Sequence, residues 1–245
     1  MKHRPILVAI AIGALMNCAA CGSFPGVHRP EPAVVPPSEV LDFNALYKQN
    51  CAGCHGLDGK GGAAISLANP VFLTIAEDTV IRRIASNGVP GTPMPAFAQS
   101  AGGMLTGKQI DALVSGIRTW ARPNTFGDET PPPYRATPGD PQRGAAAYQT
   151  YCSSCHGASG RGGGKASSIV DGSYLALVSD QQLRTIVIAG RPELGAPDWR
   201  GDVQGRPISA QDVSDVVAWL SSQRSKFPGQ PYPTASINPA QGGPR

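Results

Sequence analysis

Two five-residue signatures constrain this chain more than any other feature: Cys51-Ala-Gly-Cys54-His55 and Cys152-Ser-Ser-Cys155-His156. Each reads C-x-x-C-H, the attachment pattern for c-type haem. The chemistry needs this spacing. Two thiols two residues apart can both add across the vinyl groups of one porphyrin, and the adjacent imidazole then supplies the proximal nitrogen to iron. A zinc site made of two C-x-x-C pairs has no need of a His directly after the second Cys of both. A thioredoxin-like redox pair expects a βαβ setting, which is missing. A disulfide framework would consume the same thiols. After His28 the only histidines are those two. The spacing therefore predicts two covalently bound haem c groups, one on Cys51, Cys54 and His55, the other on Cys152, Cys155 and His156.

The signatures lie 101 residues apart, and the similarity runs past them. Tyr47 and Tyr148 each stand four residues before the first Cys. Gly56-Leu-Asp-Gly59-Lys-Gly61-Gly62 matches Gly157-Ala-Ser-Gly160-Arg-Gly162-Gly163. Further on, Gly88-Val-Pro90 through Phe97 faces Gly190-Arg-Pro192 through Trp199, and Leu105 to Ile110 faces Ile208 to Val213. The chain thus holds two copies of one unit of roughly 85 residues. Apolar spacing predicts three helices in each: about Glu39–Asn50, Glu77–Asn87 and a Thr106 cap to Ala121, then Pro141–Tyr151, Ser179–Ala189 and Ser209–Arg224. Ser209 with Asp212 resembles a capping box. No alternating strand pattern is present, so the expected class is all-α. With 30 Gly and 24 Pro, long irregular stretches are expected rather than a bundle with short loops.

Motif, repeat and the Pro93-Met94-Pro95 segment together resemble class I cytochromes c, over about residues 39–226. The resemblance implies two tandem domains, 39–122 and 139–226, joined by a Pro-rich linker, 123–138. It also implies a methionine as sixth iron ligand in the later part of each domain. Met94, 39 residues after His55, matches in the first, with Met104 as its rival. The aligned position in the second is Ala196, and no Met or His follows His156. The second iron is then expected to be open or weakly ligated, or else held by Lys165, Tyr174, Lys226 or a borrowed Met104.

Other positions read as structural. Tyr47, Tyr148 and Trp219 sit where the family crosses its first and last helices. Trp120 falls one turn later than Trp219, and Gly116 takes the matching place. Gly59, Gly61 and Gly62 lack the Lys-Ser/Thr of a phosphate loop and read as turns past the haem edge. Asp198 and Arg200 read as a surface ion pair, and Lys60, Lys108 and Arg161 as solvated.

The N-terminus is basic, then apolar from Ile6 to Met16, then Asn17-Cys18-Ala19-Ala20-Cys21-Gly22-Ser23. This describes an export signal, too short to remain as a spanning helix. It resembles lipoprotein signals, with cleavage after residue 20 and acylation at Cys21; Cys18, preceded by Asn17, fits less well. Residues 21–38 form a Pro-rich tether and 227–245 a Pro/Gly-rich tail. The formal charge is +4, and loss of Lys2 and Arg4 with the signal brings it near neutral. No basic run supports a nucleic-acid partner. The expectation is an exported, lipid-anchored carrier on the periplasmic face of a bacterial membrane. It would pass single electrons from a donor complex to an acceptor oxidase or soluble cytochrome. The alternative is a peroxidase-like or small-molecule redox enzyme that uses an open second haem.

Overall fold

The computed structural model describes residues 34–122, 126–163, 165–201, 203 and 205–225. The signal with Cys18 and Cys21, most of the tether, and the tail from Lys226 onward lie outside the described residues. The chain divides into an N-terminal segment, Met1–Pro36, and one folded unit, Pro37–Arg245. Among the described residues there is no strand, only isolated bridges, so the all-α expectation holds.

Among the described residues each copy carries five α-helices rather than three. In the first these are α1 (Phe43–Asn50), α2 (Ala52–His55), α3 (Pro70–Ile75), α4 (Asp78–Asn87) and α5 (Gly107–Arg118). In the second they are α6 (Pro141–Tyr151), α7 (Ser153–His156), α8 (Gly172–Leu177), α9 (Asp180–Ala189) and α10 (Ala210–Ser222). The added helices are four to six residues long, too short for a 3.6-residue period to register. Helix α1 starts later than Glu39, because Asp42 caps it by accepting from the Ala45 N–H. A 3₁₀ turn, Pro37–Glu39, precedes it. Thr106 and Gln109 form a complete capping box on α5, which ends at Arg118, three residues before the expected Ala121. Ser209 caps α10 through the Asp212 N–H, but Asp212 turns its carboxylate to the Ser209 hydroxyl, so only half of that box forms. The carboxylate, one methylene shorter than Glu, does not reach back to the cap backbone.

The first and last helices of each copy cross in contact. Where they meet, the two copies exchange large for small. In the first, Phe43 of α1 fills the place beside Gly116, where a Cβ would lie 2.0 Å from the ring. In the second, Gly144 of α6 lies under α10, where a Cβ would lie 1.9 Å from the Asp215 carbonyl oxygen and 2.8 Å from Trp219. Trp219 stacks on Tyr148 with centroids 4.3 Å apart, while Trp120 meets Tyr47 edge-on at 5.0 Å. Both indoles reach the same glycine of the loop after the motif, Gly59 or Gly160. Trp120 therefore does the packing work of Trp219 from one turn further along.

An arginine clamp repeats in the same displaced way. Arg118 donates to the Leu73 and Ala76 carbonyls and pairs with Asp78. Arg224 donates to the Leu175 and Val178 carbonyls and pairs with Asp180. Each guanidinium closes the C-terminal end of one short helix and holds the start of the next.

The two copies pack on one another. Helices α3 and α9 touch. Asn69 Nδ2 donates to the Ala189 carbonyl at 2.9 Å, and Arg191 Nη2 to the Gly62 carbonyl at 2.7 Å. One apolar cluster includes Phe72 and Ile81 from the first copy and Ile188 and Val216 from the second. The segment expected to act as a linker is also engaged. Tyr134 is buried, Arg184 Nη2 donates to the Pro133 carbonyl, and Gln181 donates to the Tyr134 carbonyl. Among the described residues no helix is long and apolar enough to cross a membrane.

Candidate haem sites

Each C-x-x-C-H signature straddles a break in the chain. Cys51 ends α1 and Cys152 ends α6, and the second Cys and the His lie on the four-residue helix that follows. The glycines after the motif draw the chain back over it. Gly56 and Gly157 have φ of +83° and +77°, which only Gly adopts without strain. A Cβ at Gly62 would lie 2.1 Å from the Cys54 carbonyl oxygen, so the returning loop fits only without a side chain. The Tyr47 hydroxyl donates to the Gly56 carbonyl at 2.9 Å, and Tyr148 repeats the contact at Gly157. These tyrosines pack as expected and also pin the turn.

The loop places a carbonyl against each imidazole. His55 Nδ1 lies 2.7 Å from the Ile65 carbonyl oxygen and His156 Nδ1 2.8 Å from that of Ser167. A carbonyl only accepts, so Nδ1 carries the proton and Nε2 keeps its lone pair for a metal. Burial lowers the His55 pKa, which keeps the ring neutral. Burial also pushes the Cys51 and Cys152 thiols up to about 11. Among the described residues no group of three or more His, Cys, Asp or Glu converges to hold a metal ion.

Both signatures open on one cavity of about 1980 Å³. Met94 and Ala196 line it too, whereas Met104 does not and is 85% exposed. The loops bearing Met94 and Ala196 share one backbone pattern. The Val89 N–H donates to the Met94 carbonyl and the Arg191 N–H to the Ala196 carbonyl, both at 3.0 Å. Ahead of them, Gly88 and Gly190 end α4 and α9 with φ of +66° and +67°. After them, the Leu105 N–H donates to the Phe97 carbonyl, and the Ile208 N–H to the Trp199 carbonyl. The equivalence of Met94 and Ala196 inferred from sequence is thus one of backbone geometry as well. Paired thiols, imidazoles held at Nδ1 by a carbonyl and a large cavity reached by both signatures fit two c-type haems.

A profile described as "Cytochrome C oxidase, cbb3-type, subunit III" matches residues 38–115 and 139–220, one segment per copy. The chain belongs to this family of cytochrome c domains. It is similar to the cytochrome bc1 complex cytochrome c subunit of Mycobacterium tuberculosis, 24% identical over 94% of this chain and 81% of that one. It also resembles the cbb3-type cytochrome c oxidase subunit CcoP of an Azospirillum species, 31% identical over 48% of this chain and 39% of that one. A dihydro-heme d1 dehydrogenase of Pseudomonas aeruginosa is 31% identical over 44% of this chain but only 18% of its own length. The cytochrome therefore carries two covalently bound haem c groups, one for each domain, and its general role is electron transfer in a respiratory chain.

Sequence reasoning missed Arg191. It lies on the second-domain loop equivalent to that of Met94, pairs with Glu193 at 2.6 Å and reaches the Gly62 carbonyl of the first domain. Its charge adds to burial in lowering the His55 pKa. Nothing in the sequence marks its reach across the domains, because the acceptor there is a backbone oxygen 129 positions away. Lys60, Lys108 and Arg161 are exposed, as expected. Asp198 and Arg200 do form an ion pair, at 2.6 Å. Lys165 and Tyr174 both line the cavity; Lys226 lies outside the described residues.

Proposed function

We propose that this cytochrome passes single electrons between membrane-associated respiratory complexes, from a donor complex to a terminal oxidase or a soluble cytochrome. In this reading His55 and Met94 ligate the first iron and His156 the second, with thioethers from Cys51, Cys54, Cys152 and Cys155. Bound haem supplies the one-electron chemistry; the protein supplies ligands, burial and position. The observation that carries the reading is the single cavity reached by both signatures. Because the domains are joined by Asn69, Arg191 and a common apolar cluster, exchange between the two sites needs no domain swing. The names of the M. tuberculosis and Azospirillum relatives, subunits of a bc1 complex and a cbb3 oxidase, support the choice of partners. The signal and Cys21 support export and lipid attachment on the periplasmic face.

The test uses the purified, full-length cytochrome. Added to membranes from a strain lacking it, it should restore electron flow from quinol to oxygen. Failure to be reduced by the donor side or oxidised by the oxidase would overturn the reading. Met94→Ala should lower one midpoint potential by on the order of 0.1 V, a fraction of the ~0.8 V that axial ligands span. Cys21→Ser should release the protein from membranes into the soluble fraction.

A further inference from the structure

We propose that the second domain leaves the sixth coordination position of its iron free of protein ligands, so that the reduced cytochrome binds one neutral diatomic molecule there. The inference rests on the haem reading above. Its first support is the backbone register: Ala196 stands where Met94 stands, set by the same Gly turn and the same carbonyl contact. A methyl group replaces the thioether there.

Among the described residues, the other candidates stand apart from that point. Lys165 is exposed and belongs to the loop whose Ser167 carbonyl holds His156 Nδ1, so it lies with the proximal residues. Tyr174 takes the place of Phe72. Each is the third residue after the cap of a short helix, with its N–H on the capping Asn69 or Asp171. Phe72, which ligates nothing, serves there as cavity wall. Burial raises the Tyr174 pKa, which keeps it a neutral phenol and a poor ligand. Asp171 is occupied in capping α8, and Asp198 pairs with Arg200. Met104 is on the surface.

Leu194, Pro197, Ile186 and Val187 line the same cavity as Ala196. Arg191, on the same loop, is neutralised by Glu193. An uncharged diatomic loses little on leaving water for apolar surface of this kind.

The experiment begins with pyridine haemochrome on the full-length protein. Fewer than two haems per chain would defeat the haem reading itself. With two haems present, low-temperature EPR of the oxidised form should show one high-spin and one low-spin signal. Carbon monoxide titration of the reduced form should give one CO per chain. Ala196→Met should abolish CO binding and leave two low-spin haems, and Met94→Ala should raise the stoichiometry to two. Ala196→Gly should keep one CO, showing that loop disturbance alone does not change the count. Two low-spin haems without CO uptake in the unmodified protein would overturn the proposal. Unchanged CO binding in Ala196→Met, with both haems retained, would overturn it equally.

Discussion

The two domains of this cytochrome do the same structural work with different residues, and the differences sort into two kinds. Where helices cross, a change on one side is answered on the other: Phe43 beside Gly116 in the first domain, Gly144 beneath α10 and Trp219 in the second. Such pairs keep the packed volume and leave the backbone unmoved. At the distal loop there is no answer. Ala196 replaces Met94 while the same closing bond is kept, from the Val89 N–H to the Met94 carbonyl and from the Arg191 N–H to the Ala196 carbonyl. Compensated change marks a fold constraint being met. Uncompensated change on an unmoved backbone marks a difference in chemistry.

The helix crossings give the largest stability effects. A methyl group at Gly144 meets the backbone carbonyl of Asp215, which cannot turn aside, whereas one at Gly116 meets the Phe43 ring. Gly144→Ala should cost about 3 kcal/mol, at the upper end of overpacking, and Gly116→Ala about 1–2 kcal/mol. The second deficit should shrink when Phe43→Leu is added, since the two share one space. Thermal unfolding of the oxidised, haem-loaded protein measures all three. Additive losses for Phe43 and Gly116 would mean that the crossing is not a compensated pair.

Much of this was legible in the residues. The two C-x-x-C-H signatures marked the two cytochrome c domains, and the offset between the copies located Ala196 opposite Met94. Period 3.6 found α4 to within a residue, and the repeat carried the reading to α6 and α9; neither the period nor the repeat reached the shortest helices. Those include α3 and α8, which are shorter than two turns. Both also stopped short of the pairs that a fixed offset cannot find. Arg118 and Arg224 close the same helix ends from positions that do not align, as do Trp120 and Trp219 over Gly59 and Gly160. A long side chain reaches a target from more than one turn of a helix, so alignment of sequence and alignment of atoms diverge there. The packing of Tyr134 and the contacts across the domains were hidden for another reason. Backbone carbonyls are the acceptors for Asn69, Arg184 and Arg191, and any sequence supplies carbonyls.

Asn69 and Asp171 offer a finer comparison. Both cap the short helix that follows the motif loop, each accepting from two backbone N–H groups. Only Asn69 has an amide left over, which it gives to the Ala189 carbonyl. Asn69→Asp keeps the cap but turns a carboxylate oxygen toward that buried carbonyl. The expected loss is about 1–3 kcal/mol, because a buried acceptor is left unpaired. Asp171→Asn should change stability by less than about 0.5 kcal/mol, since Asn caps as well as Asp. Equal effects of the two substitutions in chemical denaturation would show that the bond between domains contributes nothing beyond the cap.

The smallest contrast is one of acid sensitivity. In each domain a buried side chain on the last helix ties down the residues leading into the first. In the first domain it is Gln109, donating to the Pro37 and Val40 carbonyls, a neutral arrangement that pH does not touch. In the second it is Asp215, accepting from the Asp140 N–H and the Arg143 guanidinium, where the first domain has Ala112. The hydrogen bond from Arg143 is the main cause that lowers the Asp215 pKa, to about 2. A carboxyl with a depressed folded-state pKa stabilises the protein above its unfolded value, near 3.9, and the contribution fades as pH falls toward the folded value. Between roughly pH 5 and pH 2 the second domain should therefore lose stability that the first retains. Asp215→Asn should lower stability at neutral pH and flatten its decline over that range. Gln109→Ala should lower stability by a similar amount at every pH, because neither state of the chain gains or loses a proton there. Urea midpoints measured at several pH values distinguish a parallel shift from a flattened slope, and a parallel shift for Asp215→Asn would show that its charge is not what holds the lead-in of the second domain.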